Sequence, residues 1–416
     1  MNGLPVAMRE IYLYTLNTFR SIFYSVLVIV LAGCSDHVAP IVPVNPDNSI
    51  DQTIYSDVPI EFGCGEMTKA PINNMKDLES TTNYGLFSVK QGTEDLANQN
   101  SLIDFKNELL TYNKAYGFNV KGAYYPNTDD KYSFYSYYTY QNDSLIRAGV
   151  STDDSFKTTQ TKTSVAMYAY QPPNGLKQRL LGYQHDVLLA KAKGVDPKTG
   201  SEIDAFNASV VKAGAKPVFN FTHPMSLVSF SVTLAQNLTS DLGANMLRVD
   251  QVSLMNSPCY AELCIIDLEP DPTKNMEGKF ENIQYSDQEG KVPFLRGADN
   301  SRSLRCELLT PDRGVTKPLG AQTMVIVPQV EPLICRMQIS SHKYDSTKGT
   351  FIHSGNWKYD IELDPLDYVD EASEFYNTML AEGRYLPGCS YEFNIIVDLV
   401  PSGKQSIPKV KGTLVK

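Results

Sequence analysis

Apolar and polar residues alternate with a period of two in several stretches of the chain. Within 228–234, Val, Phe, Val and Leu occupy every second position, and hydroxyl residues occupy the positions between them. Successive side chains of a β-strand point to opposite faces, so this pattern predicts a strand with one buried and one wet face. The same alternation is found at 58–62, 333–339, 357–363 and 391–399.

Two further stretches predict strands that are more completely buried. Residues 132–140 carry aromatic side chains on both faces, which predicts a strand that is covered on both sides. Residues 324–327 are apolar throughout and stop at Pro328, as expected for a buried strand.

Helical patterns are few. The best lies at 370–381, opens with two acids that favour a helix N-terminus, and ends near Gly383. Short strands separated by Gly, Pro and Asn, with so little helix, predict an all-β fold of antiparallel sandwiches rather than βαβ units.

Length and composition suggest the number of domains and narrow the class of protein. The 416 residues suit two sandwiches, and small and polar residues cluster between about 200 and 216. We therefore predict domains at 58–208 and 209–416. A net charge of −10 argues against a nucleic-acid partner, and 42% apolar residues are enough for packed cores.

The N-terminus predicts a lipoprotein signal peptide at 1–33. A largely apolar run at 22–31 follows two arginines, and it is too short to cross a bilayer core of ~30 Å. The sequence L-A-G-C at 31–34 resembles a bacterial lipobox, in which the thiol of Cys34 is acylated. The alternative is a buried anchor helix that happens to be followed by a cysteine. Residues 34–57 then form an acidic tether, because no Lys or Arg occurs between 35 and 68.

Several motifs occur in an order that resembles the Bacteroidales fimbrillins, the subunits and accessory proteins of type V pili. The first is I-E-F at 60–62, followed by M-T-K-A at 67–70 and Y-G-L-F at 84–87. The others are Y-Y-P at 124–126 before the aromatic strand, D-V-L-L-A at 186–190, F-T-H-P-M-S at 221–226, V-P-Q at 327–329 and L-P-G-C-S-Y at 386–391.

The resemblance implies two transthyretin-like β-sandwich domains in tandem and a structural or adhesive role in a surface fimbria. It implies export as a palmitoylated lipoprotein to the cell outer membrane and removal of the first strand by an Arg- or Lys-specific protease. An extended strand of the next pilus subunit then refills the groove, a form of β-strand addition. A ligand on a host or bacterial surface is a further expected partner.

The sequence departs from the family pattern around the first strand. No Arg occurs between Cys34 and Arg147, so Lys69 and Lys76 are the candidate processing sites. If neither is cut, the lipid and the first strand are retained, and the chain is a membrane anchor or accessory subunit rather than a repeating stalk subunit. At the other end, residues 401–416 are either a solvated tail or a donor strand, whose candidate apolar residues are Ile407, Val410, Leu414 and Val415.

No motif for catalysis, a cofactor or a metal occurs, so we predict that the chain is not an enzyme and binds no cofactor or metal. Beyond Cys34, the six cysteines are too scattered for a zinc site, and buried free thiols are favoured over disulfides. His223 and the acid pairs at 129–130 and 153–154 are expected to be structural or to lie in surface turns. Two alternatives stay open: a non-polymerising lipoprotein that binds glycans on exposed tyrosines, and a β-sandwich glycoside hydrolase.

Overall fold

The computed structural model describes 13 segments of the chain: residues 53–65, 84–96, 98–113, 117–138, 158–160, 164–170, 187–235, 245–258, 260–285, 292–295, 303–309, 312–402 and 405–414. Within them no helix is long and apolar enough to cross a membrane. Several predicted features lie outside these residues: the signal peptide, Cys34, most of the tether, Lys69, Lys76, Cys259 and Val415.

Strands dominate the described part of the chain, which confirms the all-β prediction. The first ten are β1 (Tyr55–Cys64), β2 (Tyr84–Lys90), β3 (Lys106–Asn113), β4 (Gly117–Pro126), β5 (Tyr132–Tyr138), β6 (Thr158–Gln160), β7 (Ser164–Tyr170), β8 (Leu188–Val195), β9 (Glu202–Ile203) and β10 (Val218–Phe219). The next ten are β11 (Ser226–Leu234), β12 (Asn245–Leu254), β13 (Tyr260–Asp267), β14 (Phe280–Gln284), β15 (Cys306–Leu308), β16 (Thr316–Ile326), β17 (Leu333–Asp345), β18 (Thr350–Leu363), β19 (Ser390–Ser402) and β20 (Gln405–Leu414).

The first large sheet closes on itself. Its strands follow the order β10-β1-β4-β3-β2-β5-β8-β9, and an additional pairing between β10 and β8 joins the two sides into a ring. Aromatic side chains fill the ring, among them Tyr84, Phe118, Phe134 and Phe219. The sequence predicted a sandwich of two sheets here, whereas the structure has one closed sheet. A period of two shows that one face is buried, and this holds equally for a closed sheet and a sandwich.

The C-terminal half contains two four-stranded sheets that share a core. Their orders are β16-β11-β19-β20 and β15-β12-β17-β18. Apolar side chains of both sheets form one buried cluster, with Val228, Phe393, Met337 and Leu363 among its members. This part is the sandwich that the alternating patterns predicted. It is not wholly antiparallel, because β11 and β19 run parallel.

A fourth sheet joins strands from both halves of the sequence. Its order is β14-β13-β7-β6, and β13 pairs with β7 over Ala261–Asp267 and Ser164–Tyr170. A second buried cluster is shared by the closed sheet, this sheet and the sandwich. Strand pairing thus crosses the predicted domain boundary between residues 208 and 209. The division into two domains at this boundary stays a prediction.

Two short α-helices and one 3₁₀ helix (Pro365–Tyr368) occur among the described residues. Helix α1 (Ala208–Lys212) begins after Asn207, whose side chain accepts a hydrogen bond from the Val210 N–H. Helix α2 (Glu374–Glu382) is the helix predicted at 370–381, but it begins four residues later. The reason is local: Ser373 accepts from the Tyr376 N–H as an N-cap, while Asp370 accepts from the Ala372 N–H in the preceding turn.

Candidate strand-exchange site

Strand β1 closes the ring between two strands that lie far from it in sequence. It pairs antiparallel with β4, where Phe62 lies opposite Phe118, and parallel with β10, where Cys64 lies opposite Phe219. The pairing with β4 is irregular on both sides of Pro59, which has no N–H to donate. Every ladder bond of β1 therefore goes to β4 or β10, and none to its neighbour in sequence, β2.

Every second side chain of β1 points into the ring. Val58, Ile60 and Phe62 are 8%, 1% and 0% exposed, while Asp57, Pro59 and Glu61 face solvent. The Phe62 ring lies 5.0 Å from the Phe134 ring, edge to face, and 4.5 Å from the Phe219 ring. Burial of each of the three side chains stabilises the fold by roughly 1.5–3 kcal/mol, so β1 is a substantial part of this core.

Polar contacts fasten both ends of β1. At its start, the Ser56 hydroxyl donates to the Tyr125 carbonyl at 2.8 Å, and the Asn127 side chain donates to the Tyr55 carbonyl at 3.0 Å. At its end, the Gly63 N–H donates to the Pro217 carbonyl at 2.8 Å. An exposed ion pair also joins Asp57 to Lys212 of α1, and the ammonium holds the pKa of Asp57 below its ordinary value.

Gly117 allows the β1 backbone to approach β4 closely. Its φ is +89°, and a Cβ at this position would lie 2.3 Å from the Phe62 carbonyl oxygen. A side chain is thus excluded by the backbone of β1 itself, whatever the side chains nearby.

Loss of β1 would leave a groove with defined chemistry. Its walls would be the freed edges of β4 and β10, with unpaired N–H and C=O groups. Its floor would be the aromatic rings that β1 now covers, including Phe134 and Phe219. An extended segment with an apolar residue at every second position matches both features.

The predicted donor segment forms a strand of its own chain. Strand β20 pairs antiparallel with β19 from Phe393 opposite Leu414 to Ser402 opposite Gln405. Ile407, Val410 and Leu414 lie on β20, at the end of the strand order of its sheet. The strand conformation agrees with the sequence pattern, and donation of this strand to another subunit stays a prediction.

The processing and lipidation sites also stay predictions. Cys34, Lys69 and Lys76 lie outside the described residues, although the chain leaves the described part at Gly65, directly after β1. The segment with both lysines therefore connects β1 to β2.

The prediction of free thiols is confirmed for Cys264, Cys306, Cys335 and Cys389. Cys264 and Cys335 are buried, and the other two are half-buried. Burial raises the pKa of Cys264 to about 12, helped by nearby carboxylates such as Glu281, and burial also raises the pKa of Cys335. These two thiols are therefore uncharged and shielded, which suits packing rather than reactivity.

The other residues considered for chemistry are dispersed. His223 is buried, and Asp130 forms an ion pair with Lys90 at 3.0 Å. No group of three or more His, Cys, Asp or Glu in the described residues is placed to hold a metal ion. Sequence reasoning missed β10, because two residues are too few to show a period.

Comparison with known proteins supports the fold. No family model matches the sequence, and no curated protein is similar enough to it to count as a relative. The structure is similar to the crystal structure of a fimbrial protein from Bacteroides vulgatus, with a TM-score of 0.50 and 10% identity. The match covers 85% of this chain and 98% of that chain. The fimbrial anchor protein Mfa2 from Porphyromonas gingivalis matches over 81% of this chain and 91% of that chain, with 8% identity. The TM-score of this match is 0.31, which is too low to show a shared fold. The chain thus has the fold of a Bacteroides fimbrial protein, which confirms at the level of the fold the resemblance found in its sequence.

Proposed function

We propose that the chain is a structural or adhesive component of a bacterial surface fimbria and acts without catalysis. It is exported as a lipoprotein acylated at Cys34 and carried to the cell outer membrane. There it assembles with other pilus subunits by strand exchange. The supporting observation is the place of β1: it closes the ring through its two edges, and its inward residues are core residues.

The structure suggests how assembly would proceed. A protease that cuts after Lys69 or Lys76 would separate β1 from β2 without cutting any described strand. Once β1 leaves, the ring core is open to water, which favours refilling by an extended strand from another subunit. The proposed donor is the segment 401–416, whose described part already has the extended conformation.

The alternative within the same proposal is the membrane anchor subunit. In that case neither lysine is cut, β1 stays in the ring, and the acyl chains keep the protein on the membrane. Donation of 401–416 to a neighbour remains available to an anchor, because it does not require an open groove in the donor.

We further propose that the closed sheet and the C-terminal sandwich correspond to the two transthyretin-like domains of the fimbrillins, with a boundary near residues 208–209. Strand β10 lies beyond this boundary in sequence, yet it pairs with β1 and β8 of the closed sheet.

Limited digestion tests this function. The protein is treated with a lysine-specific endoproteinase and examined by intact mass and by non-boiled gel electrophoresis. We expect a product that starts after Lys69 or Lys76, together with a ladder of oligomers. A Lys69→Gln/Lys76→Gln variant is the matched control and is expected to stay monomeric. A cut product that remains monomeric, with β1 still bound, would contradict strand exchange.

A truncation then identifies the donor. Deletion of residues 401–416 from the cleavable protein is expected to abolish the ladder while leaving the cut intact. A ladder of unchanged length would show that another segment is donated. Intact mass of the protein from its own host separates a stalk subunit, which starts after a lysine, from an anchor, which starts at acylated Cys34.

A further inference from the structure

A cleft of about 710 Å³ opens where the end of β14 faces the loop between β16 and β17. Three of its described lining residues are large, apolar and exposed: Ile283 at 40%, Tyr285 at 61% and Val330 at 58%. A cleft of this volume is in the range of small-molecule sites, and exposed apolar side chains gathered at one place indicate contact with a ligand.

One buried polar atom in the wall of the cleft lacks a partner. The Gln329 side chain lines the cleft and is 8% exposed, and its Nε2 donates to the Glu331 carbonyl at 2.9 Å. Its Oε1 is buried and accepts no hydrogen bond. A buried amide oxygen without a donor is costly. A turn of the Gln329 side chain that brings Oε1 into the cleft, where a ligand O–H or N–H can reach it, would recover that free energy.

The loop that carries Gln329 is held in place from both sides. Asn256 donates to the Pro332 carbonyl at 2.5 Å and accepts from the Ile334 N–H at 2.6 Å. On the other side, the Tyr385 N–H donates to the Gln329 carbonyl at 3.1 Å. The wall is therefore ordered before any ligand arrives, which lowers the entropic cost of binding.

The charge of the cleft narrows the ligand class. Among the described residues that line it, Glu331 is the charged side chain, and there is no Lys, Arg or His. A carboxylate with no cation beside it disfavours anionic ligands such as sialylated or sulfated sugars. The described wall instead offers acceptors, at Gln329 and Glu331, beside an exposed aromatic ring at Tyr285.

We propose that this cleft binds a neutral saccharide. The apolar face of a sugar ring packs on Tyr285, and hydroxyl groups donate to the Gln329 Oε1 and the Glu331 carboxylate. A saccharide carries many hydroxyl donors around an apolar ring face, whereas an extended peptide brings carbonyl oxygens and N–H groups in equal number. The site is independent of strand exchange, since none of its residues belongs to β1, β10 or β20.

An array experiment with the full-length protein tests the proposal. The probes are immobilised neutral oligosaccharides, each printed beside its sialylated or sulfated counterpart. We expect at least one neutral saccharide to bind and its acidic counterpart to bind more weakly. Tyr285→Ala should weaken binding roughly tenfold or more, as loss of a central aromatic contact does. Tyr285→Phe, which keeps the aromatic side chain, should retain saccharide binding.

Two further variants make the result specific. Tyr344→Ala removes a similarly exposed tyrosine, 44% exposed on β17, and should bind like the unaltered protein. Glu331→Gln should reduce the discrimination against acidic saccharides. The proposal is overturned if no neutral saccharide binds, if acidic counterparts bind better, or if Tyr285→Ala binds as well as Tyr344→Ala. Binding of a synthetic 401–416 peptide at this cleft, in place of any saccharide, would assign it to a neighbouring subunit.

Discussion

Replacement of Phe62 by alanine tests whether β1 is a core strand of the ring. The Phe62 side chain is fully buried and contacts the rings of Phe134 and Phe219 at centroid distances of 5.0 and 4.5 Å. Truncation of a buried phenylalanine costs about 3–5 kcal/mol, because it loses the transfer free energy of the ring and leaves a cavity. We expect a loss of this size here, since three strands (β1, β5 and β10) meet at the Phe62 side chain and cannot all move inward to fill the cavity.

The assay is urea unfolding followed by two signals. Far-UV circular dichroism reports all strands, whereas fluorescence reports Trp357, the one tryptophan, on β18 of the sandwich. A loss of 3–5 kcal/mol corresponds to a fall of about 1–2 M in the urea midpoint of the circular dichroism transition. The fluorescence midpoint shows whether the sandwich unfolds together with the ring.

Phe351→Ala is the matched control. Phe351 is 43% exposed on the β17–β18 hairpin, so its truncation should change the free energy of unfolding by about 1 kcal/mol or less. If Phe62→Ala were no more destabilising than Phe351→Ala, β1 would not be packed as described. Removal of β1 would then open no apolar groove.

Three further predictions follow from the same structure. Gly117→Ala should lower the free energy of unfolding more than Gly122→Ala. Both positions have positive φ, but only at Gly117 would the Cβ meet the Phe62 carbonyl. The extra loss, about 1–3 kcal/mol, is measured from the urea midpoints. Iodoacetamide at pH 8 should modify Cys306 and Cys389 before Cys264 in the folded protein, because Cys264 is buried and the other two are half-buried. Burial raises the pKa of all three thiols, that of Cys264 to about 12. Equal rates, followed by peptide mass spectrometry, would contradict this prediction. Arg336 donates to both carboxylate oxygens of Asp360 at 2.7 Å and lowers the pKa of that carboxyl. The pair therefore stabilises the fold at pH values above the ordinary carboxyl pKa. This stabilisation is lost as the pH falls through the lowered pKa. The stability difference between the unaltered protein and Asp360→Asn should therefore be small but measurable at pH 7 and should vanish once the pH is below the lowered pKa of Asp360. A difference independent of pH would refute the assignment.

The strands could be predicted where one face is buried over several residues. The alternation at 228–234 and 391–399 corresponds to β11 and β19, whose Val228, Val232, Phe393 and Ile395 all enter the sandwich core. The opening strand at 58–62 is equally clear, and the helix before Gly383 was displaced only by its local capping. These features depend on neighbours in sequence, which is why a single sequence reveals them.

The candidate site could be predicted only in part. The pattern of Val58, Ile60 and Phe62 identified a strand with an apolar face, and the lysines after it suggested where processing occurs. It did not identify β4 and β10 as the strands that β1 joins, because those partners lie more than fifty residues away. Nor did it reveal the cleft around Gln329, which combines residues from three separate segments and has no sequence signature.

The sequence by itself determined which residues are buried on the strands with a clear alternation, such as β1, β11 and β19, the all-β class and the order of motifs that resembles the fimbrillins. Only the tertiary structure decided that the first sheet closes into a ring, that β13 pairs with β7 across the two halves, and that β11 and β19 run parallel. The physical reason is that the pleat of a strand, with its period of two, is a local property of the backbone. The choice of partner depends on hydrogen bonds and packing between segments far apart in the chain, which alternation alone does not encode.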